Sequence, residues 1–171
     1  MGAFIRRAIL SIAVLLGIAD PAEPPILATQ LHRTDSAVYA EAELREFPGE
    51  ALVDLVKSGN RLTIALSVRT PARETVVRKT LAFDGSTYSI RDETTGDRRT
   101  TKSEAAAFIL AGVFDGIVIP GLDPQGAFPV TLFCECWLEL PDDPSYDPMI
   151  LWGYRPAIAE VEIESIGEIP F

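Results

Sequence analysis

Arg61-Leu-Thr-Ile-Ala-Leu-Ser-Val-Arg69, Thr70-Pro-Ala-Arg73, Glu74-Thr-Val-Val-Arg-Lys-Thr-Leu-Ala-Phe83 and Asp84-Gly-Ser-Thr-Tyr-Ser-Ile90 follow one another without a gap, and this stretch decides the fold. Leu62, Ile64, Leu66 and Val68 fall on one face of the first run, with Arg61, Thr63, Ser67 and Arg69 on the other. A period of two is the signature of a half-buried strand. Thr70 to Arg73 interrupts it. In the next run Thr75, Val77, Leu81 and Phe83 oppose Val76, Arg78, Thr80 and Ala82, and Asp84-Gly85 turns the chain toward Tyr88 and Ile90. The stretch reads as an antiparallel meander with one wet face. It is a scaffold and carries no chemistry of its own.

Working outward toward the N-terminus, Ser36 to Phe47 alternates again and reads as the first strand, with Val38, Ala40, Ala42 and Leu44 on its apolar side. Pro48 to Ser58 reads as a short helix, with Leu52, Leu55 and Val56 in one stripe and Gly59 just past its end. Before these, Asp20 to Asp35 contains Pro21, Pro24 and Pro25 and little periodicity, the composition of a mobile, extended spacer. Met1 to Ala19 has the form of an export signal. Arg6-Arg7 precede an apolar run from Ala8 to Ala19, and Gly17 and Ala19 are small residues where a signal peptidase cuts. Twelve apolar residues are short for a bilayer helix, which takes roughly 20. Membrane contact is expected only if this segment stays uncleaved. The organisation expected is a signal peptide over 1–19, a spacer over 20–35 and one globular domain over 36–171.

Toward the C-terminus, Thr95-Gly96-Asp97 suits a hairpin turn, and Thr101-Lys-Ser-Glu104 reads as a capping box. The helix it opens carries Ala105, Phe108, Ile109, Gly112 and Val113 in one stripe and ends near Asp115-Gly116. Leu122 to Ala127 is a loop, Phe128 to Leu140 a long strand, and Pro141 to Pro148 a turn-rich loop. Trp152 sits in an apolar patch, and Ala157 to Ser165 alternates as an acidic edge strand. The fold expected is α+β, mainly an antiparallel β-sheet or a two-layer β-sandwich with two short helices.

The 171 residues suffice for one self-supporting core. Formal charge is −10, and without Met1 to Ala19 it becomes 13 basic against 25 acidic residues, or −12. Such a surface repels nucleic acid and anionic headgroups unless its positive charges are clustered, so nucleic acid is not an expected partner.

Cys134 and Cys136 are the only cysteines. Two residues apart on a strand, they share a face about 6.5 to 7 Å apart, at or beyond disulfide reach. With Val130, Leu132, Leu138 and Leu140 beside them, they read as small buried hydrophobes rather than redox groups or metal ligands. His32, the sole histidine, lies in the spacer, where a catalytic base would lack rigid support. Gly-x-Ser-x-Gly, Gly-x-Gly-x-x-Gly and P-loop motifs are absent. Asp142, Asp143 and Asp147, with Glu160, Glu162 and Glu164, match no EF-hand spacing and read as solvated acidic surface. No catalytic residue, cofactor or metal is therefore expected.

Phe133 and Trp137 occupy the otherwise polar face of the Phe128 to Leu140 strand. Either the Thr101 helix covers that face, the favoured reading, or the aromatics wait for a partner. With Trp152 they are the candidate interaction surface. The chain reads as a non-catalytic protein-interaction module of the bacterial envelope or periplasm, with an unknown envelope protein as partner. The alternative is a periplasmic carrier of a small apolar ligand held between sheet and helix.

The order of elements carries a resemblance. A strand ending near a proline, Ala51-Leu52 through Gly59, Arg61-Leu62-Thr63-Ile64, Leu81 to Ile90, a capped helix with Ala105-Ala106 and a strand closing on Leu140-Pro141 together resemble a bacterial exported family, domain of unknown function family 4390. The likeness spans Val38 to Pro141. It implies an envelope protein of unassigned activity and no catalytic residues.

Overall fold

The computed structural model describes residues 26–48, 50–120, 126 and 128–139, and the main chain alone of 51 and 157–163. Nine strands and two helices alternate along them: β1 (Ile26–Arg33), β2 (Val38–Arg45), α1 (Glu50–Lys57), β3 (Arg61–Arg69), β4 (Glu74–Phe83), β5 (Tyr88–Asp92), β6 (Arg98–Thr101), α2 (Glu104–Gly112), β7 (Val113–Ile119), β8 (Phe128–Glu139) and β9 (Ala157–Ile163). They form a three-stranded sheet ordered β1-β2-β7 and a six-stranded sheet ordered β6-β5-β4-β3-β8-β9, antiparallel throughout. The expected α+β architecture with a largely antiparallel sheet and two short helices is the one observed.

The meander sets the large sheet. Leu62, Ile64, Leu66 and Val68 are at most 1% exposed and pair with Leu138, Cys136, Cys134 and Leu132 on β8. Across the core lie Val38, Ala40, Ala42, Leu44, Phe114, Ile117 and Ile119 of the small sheet. Burying each large aliphatic side chain contributes about 1.5 to 3 kcal/mol, so the two facing layers dominate stability. Gly59, with φ +95°, ends α1 as expected, its amide donating to Val56 O at 3.0 Å.

Four expectations change. Ile26–Arg33, placed in the spacer, is strand β1 and pairs with β2 from Ile26↔Arg45 to Arg33↔Val38. Leu27 fills the core while Ile26 faces solvent, a sparse alternation that the surrounding polar residues hide. The α2 cap is Ser103, whose hydroxyl accepts from Ala106 N at 3.3 Å; the Thr101 hydroxyl instead accepts from Ser103 N at 3.0 Å. Glu104 turns outward to Tyr88 and Lys57, so the anticipated reciprocal box does not close.

The buried stripe of α2 is Ala107, Phe108, Ala111 and Gly112, and Ile109 is 59% exposed. The stripe is set by which face meets the core between the sheets, and Ala107, Ala111 and Gly112 are small enough to pack there beside Phe108. Finally, α2 stops at Gly112, where a Cβ would come 3.3 Å from Leu44 Cβ, and the chain passes straight into β7. Gly116, taken for a helix end, has φ +63° and makes a bulge: Ala40 pairs with Ile117 and Ala42 with Phe114, leaving Asp115-Gly116 opposite Glu41.

Candidate functional site

A cleft of about 180 Å³ opens between the two sheets beside α2, floored by Val77, Ile90, Leu110, Phe114 and Ile117 and edged by Lys79, Asp92, Asp97, Arg99 and Asp115. Its polar centre comes from one irregularity in the meander. Alternation along β4 sends Thr75, Val77, Lys79, Leu81 and Phe83 inward, so a lysine takes a place in an apolar row. Lys79 Nζ donates to Leu110 O at 3.3 Å and also to Val113 O, and lies 5.0 Å from the centre of the Phe114 ring.

Burial pushes the Lys79 ammonium below the usual lysine range, against the opposing pull of the Asp92 and Asp115 carboxylates. Asp92 is the cross-strand neighbour of Lys79, and its Oδ1 also accepts from the amides of Thr94 (2.8 Å) and Thr95 (3.0 Å), which shapes the turn into β6. Lys79 spends two of its N–H donors on main-chain carbonyls at the end of α2. Those bonds favour the ammonium over a free amine, so the arrangement ties β4 to the helix end rather than presenting a nucleophile. The signal for Lys79 in the sequence is a charged residue at an inward position between Val77 and Leu81.

A second polar junction links three elements: Tyr88 of β5 donates to Glu104 Oε2 at 3.0 Å, and Lys57 of α1 approaches the same oxygen at 2.8 Å. The hydrogen bonds from Lys57 and then Tyr88 hold the Glu104 carboxyl below its usual range. The pair fastens the start of α2 to the end of α1.

The residues singled out from sequence separate. Cys134 and Cys136 are buried free thiols on the inward face of β8, and burial drives both far above the ordinary thiol range. His32 sits on β1 with its Nε2 3.1 Å from Glu41 Oε2, half exposed on the outward face of the small sheet. Phe133 and Trp137 are half-buried on the outward face of β8, opposite Ser67 and Thr63 of β3. The Arg69 guanidinium lies 5.2 Å from the Phe133 ring centre.

The favoured cover of these aromatics by the Thr101 helix does not hold. Helix α2 packs against β2, β4, β5, β6 and β7, and its buried residues join the core between the sheets. Its connection from β6 to β7 must cross from one sheet to the other, which draws the helix to the inward side. Trp152, Asp142, Asp143, Asp147 and Met1 to Ala19 lie outside the described residues. Among the described residues, no three His, Cys, Asp or Glu side chains are placed to hold a metal ion, and no helix is long and apolar enough to cross a membrane.

No protein-family model matches the chain, and neither a curated protein nor a solved structure matches it; the likeness to domain of unknown function family 4390 gains no support from them.

Proposed function

We propose that the chain is a non-catalytic protein-interaction module of the bacterial envelope, exported by its Arg6-Arg7 and apolar leader. The contact surface is the outward face of the six-stranded sheet around Phe133 and Trp137, and the partner is a protein. The observation that carries this reading is the position of the two aromatics on the face opposite α2, rimmed by the ion pairs Arg61–Glu139 and Arg69–Glu74, each at 3.2 Å. An aromatic centre within a charged rim is the anatomy of protein contact surfaces.

The alternative, a carrier of a small apolar molecule between sheet and helix, finds little support in the cleft beside α2. Its volume of about 180 Å³ is below the roughly 300 Å³ at which ligand pockets begin, and five ionisable side chains line it. Photo-crosslinking in intact envelopes tests the reading. A benzophenone side chain at position 133 or 137 should capture one defined protein, and the same group at Gln30 on the small sheet should not. Equal, diffuse labelling from all three positions, or none from 133 and 137, would remove the proposal.

A further inference from the structure

The other end of the same sheet carries a row of arginines on its outward face. β6 is a four-residue edge strand, and among the described residues no strand pairs with its outer side. Arg98, Arg91 and Arg78 share the outward face: Arg98 stands directly opposite Arg91, and Arg78 lies diagonally beyond on β4. Arg99 points the other way into the inter-sheet cleft, and Lys102 follows the strand. All five are exposed. Among the described residues none of Arg78, Arg91, Arg98 and Arg99 has a carboxylate within 4.0 Å, although the chain holds 25 acidic residues.

Like charges directly opposite each other across two strands are destabilising, so the Arg91↔Arg98 pair carries a cost that this fold does not offset with a neighbouring acid. Arg98 is moreover held in place, its Nε donating to Ser89 Oγ at 3.2 Å. Of the acids near the strand, Asp92 ends β5 and accepts from the amides of the following turn, and Glu93 and Asp97 lie in that turn. Charged residues on a short edge also guard against unwanted pairing. That guard is selective, because the outward arginines repel a basic strand and attract an acidic one.

We propose that β6 is a docking edge for an extended acidic segment of a partner protein, which adds a strand to the six-stranded sheet. Main-chain hydrogen bonds along β6 hold the segment, and its carboxylates at alternate positions, which share one face, meet Arg98 and Arg91 on the outward side. The edge lies four strands away from Phe133 and Trp137 on the same sheet, and the proposal stands whether or not those aromatics bind.

The probe is an acetylated, amidated peptide of alternating glutamate and threonine, titrated against the full chain, with a lysine-threonine peptide and a backbone N-methylated glutamate-threonine peptide as comparators. The glutamate peptide should bind in a salt-sensitive way and slow amide exchange at Arg98 to Thr101, and both comparators should fail. Arg91→Glu with Arg98→Glu should weaken it by about tenfold or more and admit the lysine peptide instead. Should that variant not fold, Arg91→Gln with Arg98→Gln removes the charge without reversing it and should weaken binding several-fold. Three results overturn the proposal: no binding of the glutamate peptide, binding that survives N-methylation, or binding indifferent to the arginine changes.

Discussion

The ammonium of Lys79, on β4, donates to the main-chain carbonyl of Val113, the residue at which α2 becomes β7. The last carbonyls of a helix have no partner within it, and α2 has no basic residue in its own last turn. Lys79 supplies that cation from the other sheet, and a second donor to Leu110 O at 3.3 Å completes the cap. It thereby clamps the helix that carries the chain from the large sheet to the small one.

Lys79→Met keeps the stem and removes the donors. It should lower stability by about 2 kcal/mol or more, the cost of leaving two partly buried carbonyls unsatisfied. Denaturant titration should show an earlier midpoint with an unchanged slope.

The same lysine gives a pH signature. Burial lowers its folded pKa below the unfolded 10.5, so between the two values the unfolded chain binds more protons and stability from this group rises with pH. The native protein should therefore gain on Lys79→Met as pH climbs from the lowered value toward 10.5. A stability gap that stays flat across alkaline pH would show that the amine is not desolvated.

Glu104 should behave in the opposite sense. Its bonds from Lys57 and Tyr88 depress its folded pKa below 4.5, so its contribution is present above 4.5 and disappears as pH falls through the depressed value. Glu104→Gln should melt earlier than the parent at neutral pH and match it in strong acid. Melting curves taken across the acid range decide this.

Thr63 is 2% exposed on the outward face of the central strand, and among the described residues its Oγ1 has no hydrogen-bond partner. Thr63→Val replaces an unsatisfied hydroxyl by a methyl of similar shape. It should stabilise by about 1 kcal/mol and raise Tm by about 2 to 4 °C in a chain of this size. A lower Tm would reveal a partner for the hydroxyl.

Cys134 and Cys136 should resist a thiol reagent in the native protein and react together in denaturant, because burial keeps both protonated and out of reach. Prompt labelling of either thiol under native conditions would contradict this packing.

Much of the scaffold was legible because each strand of the meander carries an apolar inward row and a period of two leaves a local record, although β3 also buries Thr63 and Ala65 on its outward face. Leu62 to Val68, the hairpin at Asp84-Gly85 and the inward thiols of β8 are all readable from residue order alone. The boundaries of α2 were not. Ser103 and Thr101 are both competent caps, and whether Glu104 reaches back or outward depends on Tyr88 and Lys57, which reach it from other elements. β7 was missed because Asp115-Gly116 looks the same as a helix end or as a bulge; only pairing with Glu41 on β2 distinguishes them.

The candidate sites divide in the same way. Alternation by itself put Phe133 and Trp137 on one face of a strand, Cys134 and Cys136 on the other, and chain composition set the acidic balance. Only the tertiary structure decided that α2 lies between the sheets, that Lys79 meets its helix end, and that Arg78, Arg91 and Arg98 gather on one exposed face. Strand faces are fixed by neighbours two residues away, whereas those three relationships join residues far apart in sequence through pairing and packing, for which the local pattern holds no information.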